Sequence, residues 1–329
     1  MGIIRSLTCR ECGAEYKPQF RYVCEECFGP LDIIYDIPDS LNRQTFSSRV
    51  EKTYWRYFEL LPILDKSCIV NINAGFTPLQ NAEDLGKQIG LDNLFIKNDS
   101  VNPTFSFKDR PAGVAVSRAK ETKLKAVGCA STGNLASATA AHAAKAHLPC
   151  YIFAPSDIEK VKIVQALSYG AEFVAVEGTY DDANRVASII GDSKGIGIVN
   201  INMRPYYVEG SKTLAFEVAE QLNWQVPDHL IIPVGSGAML NAICKGFEEL
   251  HNIGIVDDIS NLKITAAQPH GCAPIVDAFK RNATNIIPIE KPETIAKSLA
   301  IGDPGDGIYV LKDWSNMVVS LKKPLIAKL

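Results

Sequence analysis

From about residue 91 onward, short apolar, β-branched runs alternate with stretches of helical character. Residues 94–96 (Leu-Phe-Ile) read as a strand, 107–120 as a helix, 126–130 as a strand and 134–146 as an Ala-rich helix. The alternation continues with a strand at 150–154, a helix over 157–169 ending at Gly170, and a strand at 173–176. Further on come an apolar run at 230–234, a helix over 238–250 and a strand at 262–267. Strands alternating with helices predict βαβ units and parallel sheets. In such sheets ligands sit beyond the carboxyl ends of the strands, on the strand-to-helix loops. The segment 30–90 has a different texture, with the apolar stretch 31–35 and a Pro-flanked turn, Gly75-Phe76-Thr77-Pro78-Leu79. There is no internal repeat and no low-complexity tract.

Residues 1–29 stand apart. They hold Cys9-x-x-Cys12 and Cys24-x-x-Cys27, with few aliphatic residues for a core of their own. Two such knuckles let four thiolates close a tetrahedron around one ion, the pattern of a structural zinc site. A metal would supply what packing cannot. Because four protein ligands leave no open position, the expected role is structural.

Composition narrows the class. The chain has 329 residues, 47% of them hydrophobic and 22% charged, with a net charge of −3. That length predicts about two domains, and the charge asks for no nucleic acid and no anionic membrane as partner. In residues 1–29 the basic Arg5, Arg10, Lys17 and Arg21 are balanced by Glu11, Glu15, Glu25 and Glu26, so the knuckles present no basic face. No apolar run approaches the roughly 18 residues of a spanning helix. The start of the chain has no secretory pattern, and its match to a myristoylation signal is short enough to be chance. The remaining five of the nine cysteines are scattered singly, which fits a reducing compartment. A cytoplasmic enzyme acting on a small molecule is the expectation.

Three loops carry candidate chemistry. The first is Asn102-Pro103-Thr104-Phe105-Ser106-Phe107-Lys108-Asp109-Arg110. Here Ser106 is the expected N-cap, which places Lys108 in the first helical turn. The helix dipole and the flanking Phe105 and Phe107 both favour a neutral, nucleophilic amine. The second loop, Ser131-Thr132-Gly133-Asn134, follows a strand and opens a helix, so its N–H groups and hydroxyls suit an anion. The third, Gly235-Ser236-Gly237-Ala238, follows the 230–234 run and could cradle a phosphate. It is not a full dinucleotide fingerprint, since Leu240 occupies the last glycine position, and no Walker A pattern occurs. Taken singly, each loop fits an ordinary helix start. Together they supply an amine, a carboxylate anchor and a phosphate cradle, the set a pyridoxal 5′-phosphate (PLP) enzyme acting on an amino acid requires.

The segments NPTFSFKDR, STGN and PVGSGA, with GFTPL ahead of them, resemble PLP enzymes of fold type II, the tryptophan-synthase-β-like superfamily. CRECGAEY, CEECFGPLDIIYD, RPYYVEGSKTLAFE, AQPHGCAP and TIAKSLAIG are similar to the threonine synthases within it. The resemblance runs from residue 6 to about 311. It implies an α/β fold of two open parallel-sheet domains with PLP in the cleft between them, preceded by a zinc-ribbon-like element. The expected division is 1–29 for that element, 30–110 with 205–329 for the larger domain, and 111–204 for the smaller.

By the same resemblance, Lys108 is the lysine that carries the cofactor, and Asn134 contacts the cofactor's phenolic oxygen. Gly235, Ser236, Gly237 and Ala238 hold its phosphate. Ser131, Thr132 and Gly133 bind the substrate carboxylate, and Asn202 and Arg204 the substrate phosphate. The implied reaction converts O-phospho-L-homoserine and water to L-threonine and phosphate, and the implied assembly is a homodimer. The resemblance fades after Leu311. The family's late Ser/Thr-Gly hydroxyl, which meets the pyridine nitrogen, has no counterpart in the sequence beyond Ser315 or Ser320, and a C-terminally shortened member is the expectation. The competing readings are another fold-type-II enzyme, such as a cysteate synthase, and an inactive PLP-binding remnant.

Overall fold

The computed structural model describes residues 3–18, 21–159, 161, 163–313 and 318–322, the last five and Ile3 as backbone only. The chain divides into two compact units, Met1–Thr213 and Leu214–Leu329.

The first unit opens with a three-stranded antiparallel sheet of β1 (Ile3–Cys9), β2 (Glu15–Tyr16) and β3 (Leu31–Asp36), in the order β2-β1-β3. Both cysteine knuckles close alike. The Gly13 N–H donates to the Cys9 carbonyl at 3.1 Å, and the Phe28 N–H to the Cys24 carbonyl at 3.1 Å. The residue after each second cysteine is left-handed: Gly13 at φ 74° and Phe28 at φ 60°. Glycine takes that conformation without a Cβ clash, whereas an aromatic residue is strained there. The Phe28 ring gains little in return, being 79% exposed. Phe28→Gly is therefore expected to stabilise the first unit by about 0.5–1 kcal/mol, read as a higher urea midpoint at unchanged slope.

Next come α1 (Arg43–Ser47), a 3-10 stretch over Tyr54–Leu60, and an antiparallel pair of β4 (Leu79–Asn81) and β5 (Phe95–Lys97) flanking α2 (Glu83–Ile89). The strand expected at 94–96 is thus part of a separate two-stranded pair. Tyr54, Trp55, Phe58, Leu61, Ile63 and Ala74 pack with Val114 into an aromatic cluster under α3 (Asp109–Glu121).

The chemistry-bearing sheet follows: β6 (Ala126–Ala130), β7 (Cys150–Pro155), β8 (Glu172–Val176) and β9 (Ile196–Ile198), all parallel in the order β8-β7-β6-β9. β6 is buried along its whole length, as expected of a central parallel strand. On one face α3 and α4 (Asn134–Ala146) form the main core; α4 is rich in alanine, so it approaches the sheet closely. On the other face Ala187 of α6 (Tyr180–Lys194) packs with Ala130, Phe153 and Ile198. The start of α6 is a capping box of Thr179 and Asp182, and its end is Gly195 at φ 67°.

Between β7 and β8 the expected helix over 157–169 is reduced to α5 (Val164–Ser168), and residues 160 and 162 lie outside the described set. The apolar spacing there is used only in part: Ile163 and Ala166 are buried, Ala166 in the main core, while Val161 is 74% and Val164 56% exposed. The unit ends in α7 (Arg204–Ser211), packed against α3 so closely that a Cβ on Gly210 would lie 2.4 Å from the Arg110 carbonyl oxygen.

The second unit takes up α8 (Thr213–Gln221) and a parallel sheet of β10 (His229–Pro233), β11 (Lys263–Ala267) and β12 (Val318–Lys322), in that order. α9 (Ala238–Asn252), α10 (Pro274–Lys280) and α11 (Gly307–Lys312) complete it. Among the described residues no helix is long and apolar enough to cross a membrane.

Candidate active site

The Lys108 loop is fixed on both sides. Asn102, buried, accepts the Gly75 N–H at 2.9 Å, which ties the GFTPL turn to the loop. The Asp109 carboxylate accepts the Thr104 N–H at 2.8 Å and the Thr104 hydroxyl at 2.9 Å. Burial pushes the Asp109 carboxyl up to about 6, against those two hydrogen bonds. The helix begins two residues later than expected: Lys108 is itself the N-cap of α3, and Ser106 Oγ accepts the Lys108 N–H at 3.2 Å from the turn before it. The two phenylalanines also part company. Phe107 faces the amine, with Nζ 4.7 Å from its ring centre, while Phe105, at φ 60°, is 75% exposed.

The Lys108 amine has a partner that pattern reading misses. Its Nζ donates to the Tyr207 hydroxyl at 2.8 Å and lies 5.4 Å from that ring's centre. Tyr207 is buried on α7, in the core shared with α3 and α4. The signal in the sequence is the RPYYVEGSKT stretch, which marks a family but states no chemistry.

The 131–134 loop leaves the carboxyl end of β6. Gly133 caps α4 without a side-chain hydrogen bond, so the first-turn N–H groups face outward. Ser131 and Thr132 are half-buried, and Gly133 and Asn134 exposed. The loop is braced from two neighbours. The Tyr180 hydroxyl donates to the Ala130 carbonyl, and Asn200 Oδ1 accepts the Ala130 N–H at 3.2 Å. Burial pushes the Tyr180 phenol up to about 12, which keeps it a donor. Asn200 lies after β9, the strand next to β6, so this turn runs beside the 131–134 loop. Asn202 in the same turn is buried, with its Oδ1 accepting the Ile198 N–H at 2.7 Å and its Nδ2 donating to the Ile196 carbonyl at 3.0 Å. Arg204 follows as the first residue of α7, half-buried.

In the second unit, Gly235-Ser236-Gly237 joins β10 to α9, again with no side-chain cap. Glycine is required at 237 and sits close to a neighbour at 235. Gly237 sits at φ 98° with a Cβ position 3.0 Å from the Asp306 carbonyl, and a Cβ on Gly235 would lie 2.9 Å from the Ile301 side chain. The Asp306 N–H donates to the Ser236 carbonyl at 3.2 Å and the Ala238 N–H to the Ser236 hydroxyl at 3.4 Å, so the loop is held while the N-cap Gly237 itself offers the helix no side-chain cap. Open amides on a long helix suit a phosphate. Within the first unit, an amine at a helix cap and an open helix start suit an aldehyde and an amino-acid carboxylate; within the second, an open glycine-bearing helix start suits a phosphate. Ser315 and the Ser320 side chain lie outside the described residues.

At the other end of the first unit, the Sγ atoms of Cys9, Cys12, Cys24 and Cys27 all lie within 4.8 Å of one another. Cys9–Cys27 and Cys12–Cys24 are each 3.5 Å apart. Four thiolates around one zinc at about 2.3 Å sit roughly 3.8 Å from each other, so the cluster is of a size to close on a metal.

The comparisons with known proteins agree with this chemistry. Residues 70–322 match the family described as pyridoxal-phosphate dependent enzyme. A threonine synthase of Methanocaldococcus jannaschii is 42% identical over 301 residues, covering 90% of this chain and 73% of the relative. One of Methanosarcina acetivorans is 40% identical over 301 residues, covering 91% and 73%. Among solved structures, threonine deaminase isoform 2 from Solanum lycopersicum superposes with a TM-score of 0.64 at 24% identity, over 76% of this chain and 65% of that one. Diaminopropionate ammonia lyase from Escherichia coli gives 0.63 at 19% identity, over 78% and 69%. The chain belongs to the pyridoxal-phosphate-dependent enzymes of fold type II, and within them to the threonine synthases.

Proposed function

We propose that the chain converts O-phospho-L-homoserine and water to L-threonine and phosphate. The observation that carries this reading is the 42% identity maintained over 301 residues with a threonine synthase, joined to a Lys108 amine already held by a phenol.

In this reading Lys108 carries PLP, Gly235 to Ala238 offer its phosphate their open amides, and Asn134 meets its phenolic oxygen. PLP, once bound, stores the electron pair released when the substrate loses its α-proton. The rest falls to the chain's own groups. Ser131, Thr132 and the Gly133 N–H hold the substrate carboxylate, which fixes the α-carbon. Lys108 Nζ takes the α-proton and then moves protons at the β- and γ-carbons as phosphate leaves, with Tyr207 holding the amine in place between steps. Water adds at the β-carbon. Arg204, whose planar fork suits a phosphate, recognises the leaving group, and Asn202 acts with it by pinning the turn that presents it.

Cys9, Cys12, Cys24 and Cys27 hold a structural zinc in the same proposal. Residues 111–204, which contain the four-stranded parallel sheet, form the smaller α/β domain.

The test is threonine formation from O-phospho-L-homoserine by the purified chain loaded with PLP. Threonine supports the reading. Its absence, with product appearing instead from O-phosphoserine and sulfite, would reassign the substrate to that of a cysteate synthase.

A further inference from the structure

We infer that the N-terminal ribbon positions the catalytic amine: Tyr35 of β3, acting through Glu209 of α7, fixes the Tyr207 hydroxyl against Lys108 Nζ. The inference rests on the reading that Lys108 carries the cofactor, and adds a role for residues outside the three loops.

A buried network joins ribbon to helix. The Tyr35 hydroxyl donates to Glu209 Oε2 at 2.5 Å, and Lys212 Nζ reaches the same oxygen at 2.6 Å. The Lys212 ammonium also lies 4.2 Å from the centre of the Tyr35 ring. Glu209 and Lys212 side chains are 1% and 0% exposed, so no bulk water replaces a lost donor. A buried carboxylate deprived of one of its donors shifts toward whatever else can satisfy it.

Helix geometry turns this anchor into a lever. At about 100° per residue, positions two apart on a helix point roughly 200° apart. Glu209 therefore faces the ribbon while Tyr207 faces away from it, toward Lys108. α7 has only eight residues and no side-chain N-cap, so it has little rigidity of its own. It is held at Gly210 by contact with α3, and at Glu209 by Tyr35. The ribbon end of the anchor is firm: Tyr35 pairs with Ile4 on β1, the strand that runs on to Cys9. The ribbon residues Leu7, Leu31 and Ile33 share one core with Tyr206 and Tyr207. A small rotation of α7 about the Gly210 contact lengthens the 2.8 Å bond between Tyr207 and Lys108 before it disturbs the fold.

The test is the rate at which hydroxylamine displaces Lys108 from the cofactor in the holoenzyme, followed as loss of visible absorption. In that step the hydroxylamine nitrogen bonds to the cofactor carbon, the carbon–Nζ bond breaks, and Lys108 leaves as an amine after taking up a proton. Tyr207→Phe is expected to slow displacement about tenfold or more, by removing the group that holds that amine. Tyr35→Phe should slow it about threefold in the otherwise unchanged chain, and not at all in the Tyr207→Phe background. Glu209→Gln should copy Tyr35→Phe without adding to it, and stands in for it if that variant fails to fold. Equal slowing by Tyr35→Phe in both backgrounds, or none in a holoenzyme that melts normally, overturns the inference. Cofactor found on a different lysine would overturn both this and the reading above. Cofactor on Lys108 without threonine synthesis leaves the displacement rates to decide this inference alone.

Discussion

Replacing Lys108 by Ala should lower threonine formation at least about 10³-fold while leaving the chain folded. The side chain is half-buried and makes one hydrogen bond, to Tyr207, so its loss costs the fold about 1 kcal/mol. Its expected loss to chemistry is of another order, because in the proposed reaction the same amine carries the cofactor and moves the proton. Lys108→Arg should fail as badly. A guanidinium keeps the charge but has no neutral amine to offer. Both variants should also lose the visible absorption of the bound cofactor, which separates a failure to hold PLP from a failure of later steps. Full turnover by Lys108→Ala, measured as threonine released, would remove Lys108 from the mechanism.

Arg110→Gln is the variant expected to cost the most stability, about 3–5 kcal/mol at neutral pH. The guanidinium is fully buried and grips Asp99 with two bonds, Nε to Oδ2 at 2.7 Å and Nη2 to Oδ1 at 2.8 Å. It also donates to Thr77 at 3.2 Å and to Thr213 at 3.0 Å. Burial alone would push the Asp99 carboxyl up, but the charge and hydrogen bonds of Arg110 outweigh it and hold the group below its ordinary value of 3.8. A carboxyl depressed in the folded state lends stability that is complete above its unfolded pKa and is lost as pH falls through the folded one. Removing Arg110 leaves mainly burial, so the contribution of Asp99 reverses sign. Urea unfolding should then show the variant regaining part of that loss from pH 7 toward pH 4, a window in which the parent's Asp99 contribution is still complete. A cost under about 1 kcal/mol at pH 7 would mean that water reaches the pair.

Much of this was legible in the chain. The helix at 134–146 and the strands at 126–130 and 150–154 are read almost to the residue, because a buried parallel strand and an Ala-rich helix each leave a strong local trace. The four cysteines announce their cluster by spacing. The helix over 157–169 is read too long because part of its apolar spacing faces solvent, as Val161 and Val164 show, while Ile163 and Ala166 are buried. The pattern also passes over α6, although Thr179 with Asp182 three positions later is a helix-start signal. Tyr207 stands 99 positions from Lys108, and nothing local says that they meet. The same holds for Glu209. An acidic and a basic residue three apart on a helix usually mark a solvated face, and only the packing of the ribbon against α7 makes this pair interior.

That packing also sets a clock on how the chain is made. Tyr35 is 174 positions ahead of the Glu209 it must meet. At translation rates of about 5–20 residues per second, the ribbon waits roughly 10–35 s after synthesis before its docking partner emerges. Through that interval the core that Leu7, Leu31 and Ile33 later share with Tyr206 and Tyr207 is without its α7 side. A metal seized by the thiolates during synthesis would hold the register until α7 arrives. With a metal so bound, as proposed above, the fidelity of assembly would depend on metal supply at the ribosome more than on metal supply to the finished enzyme.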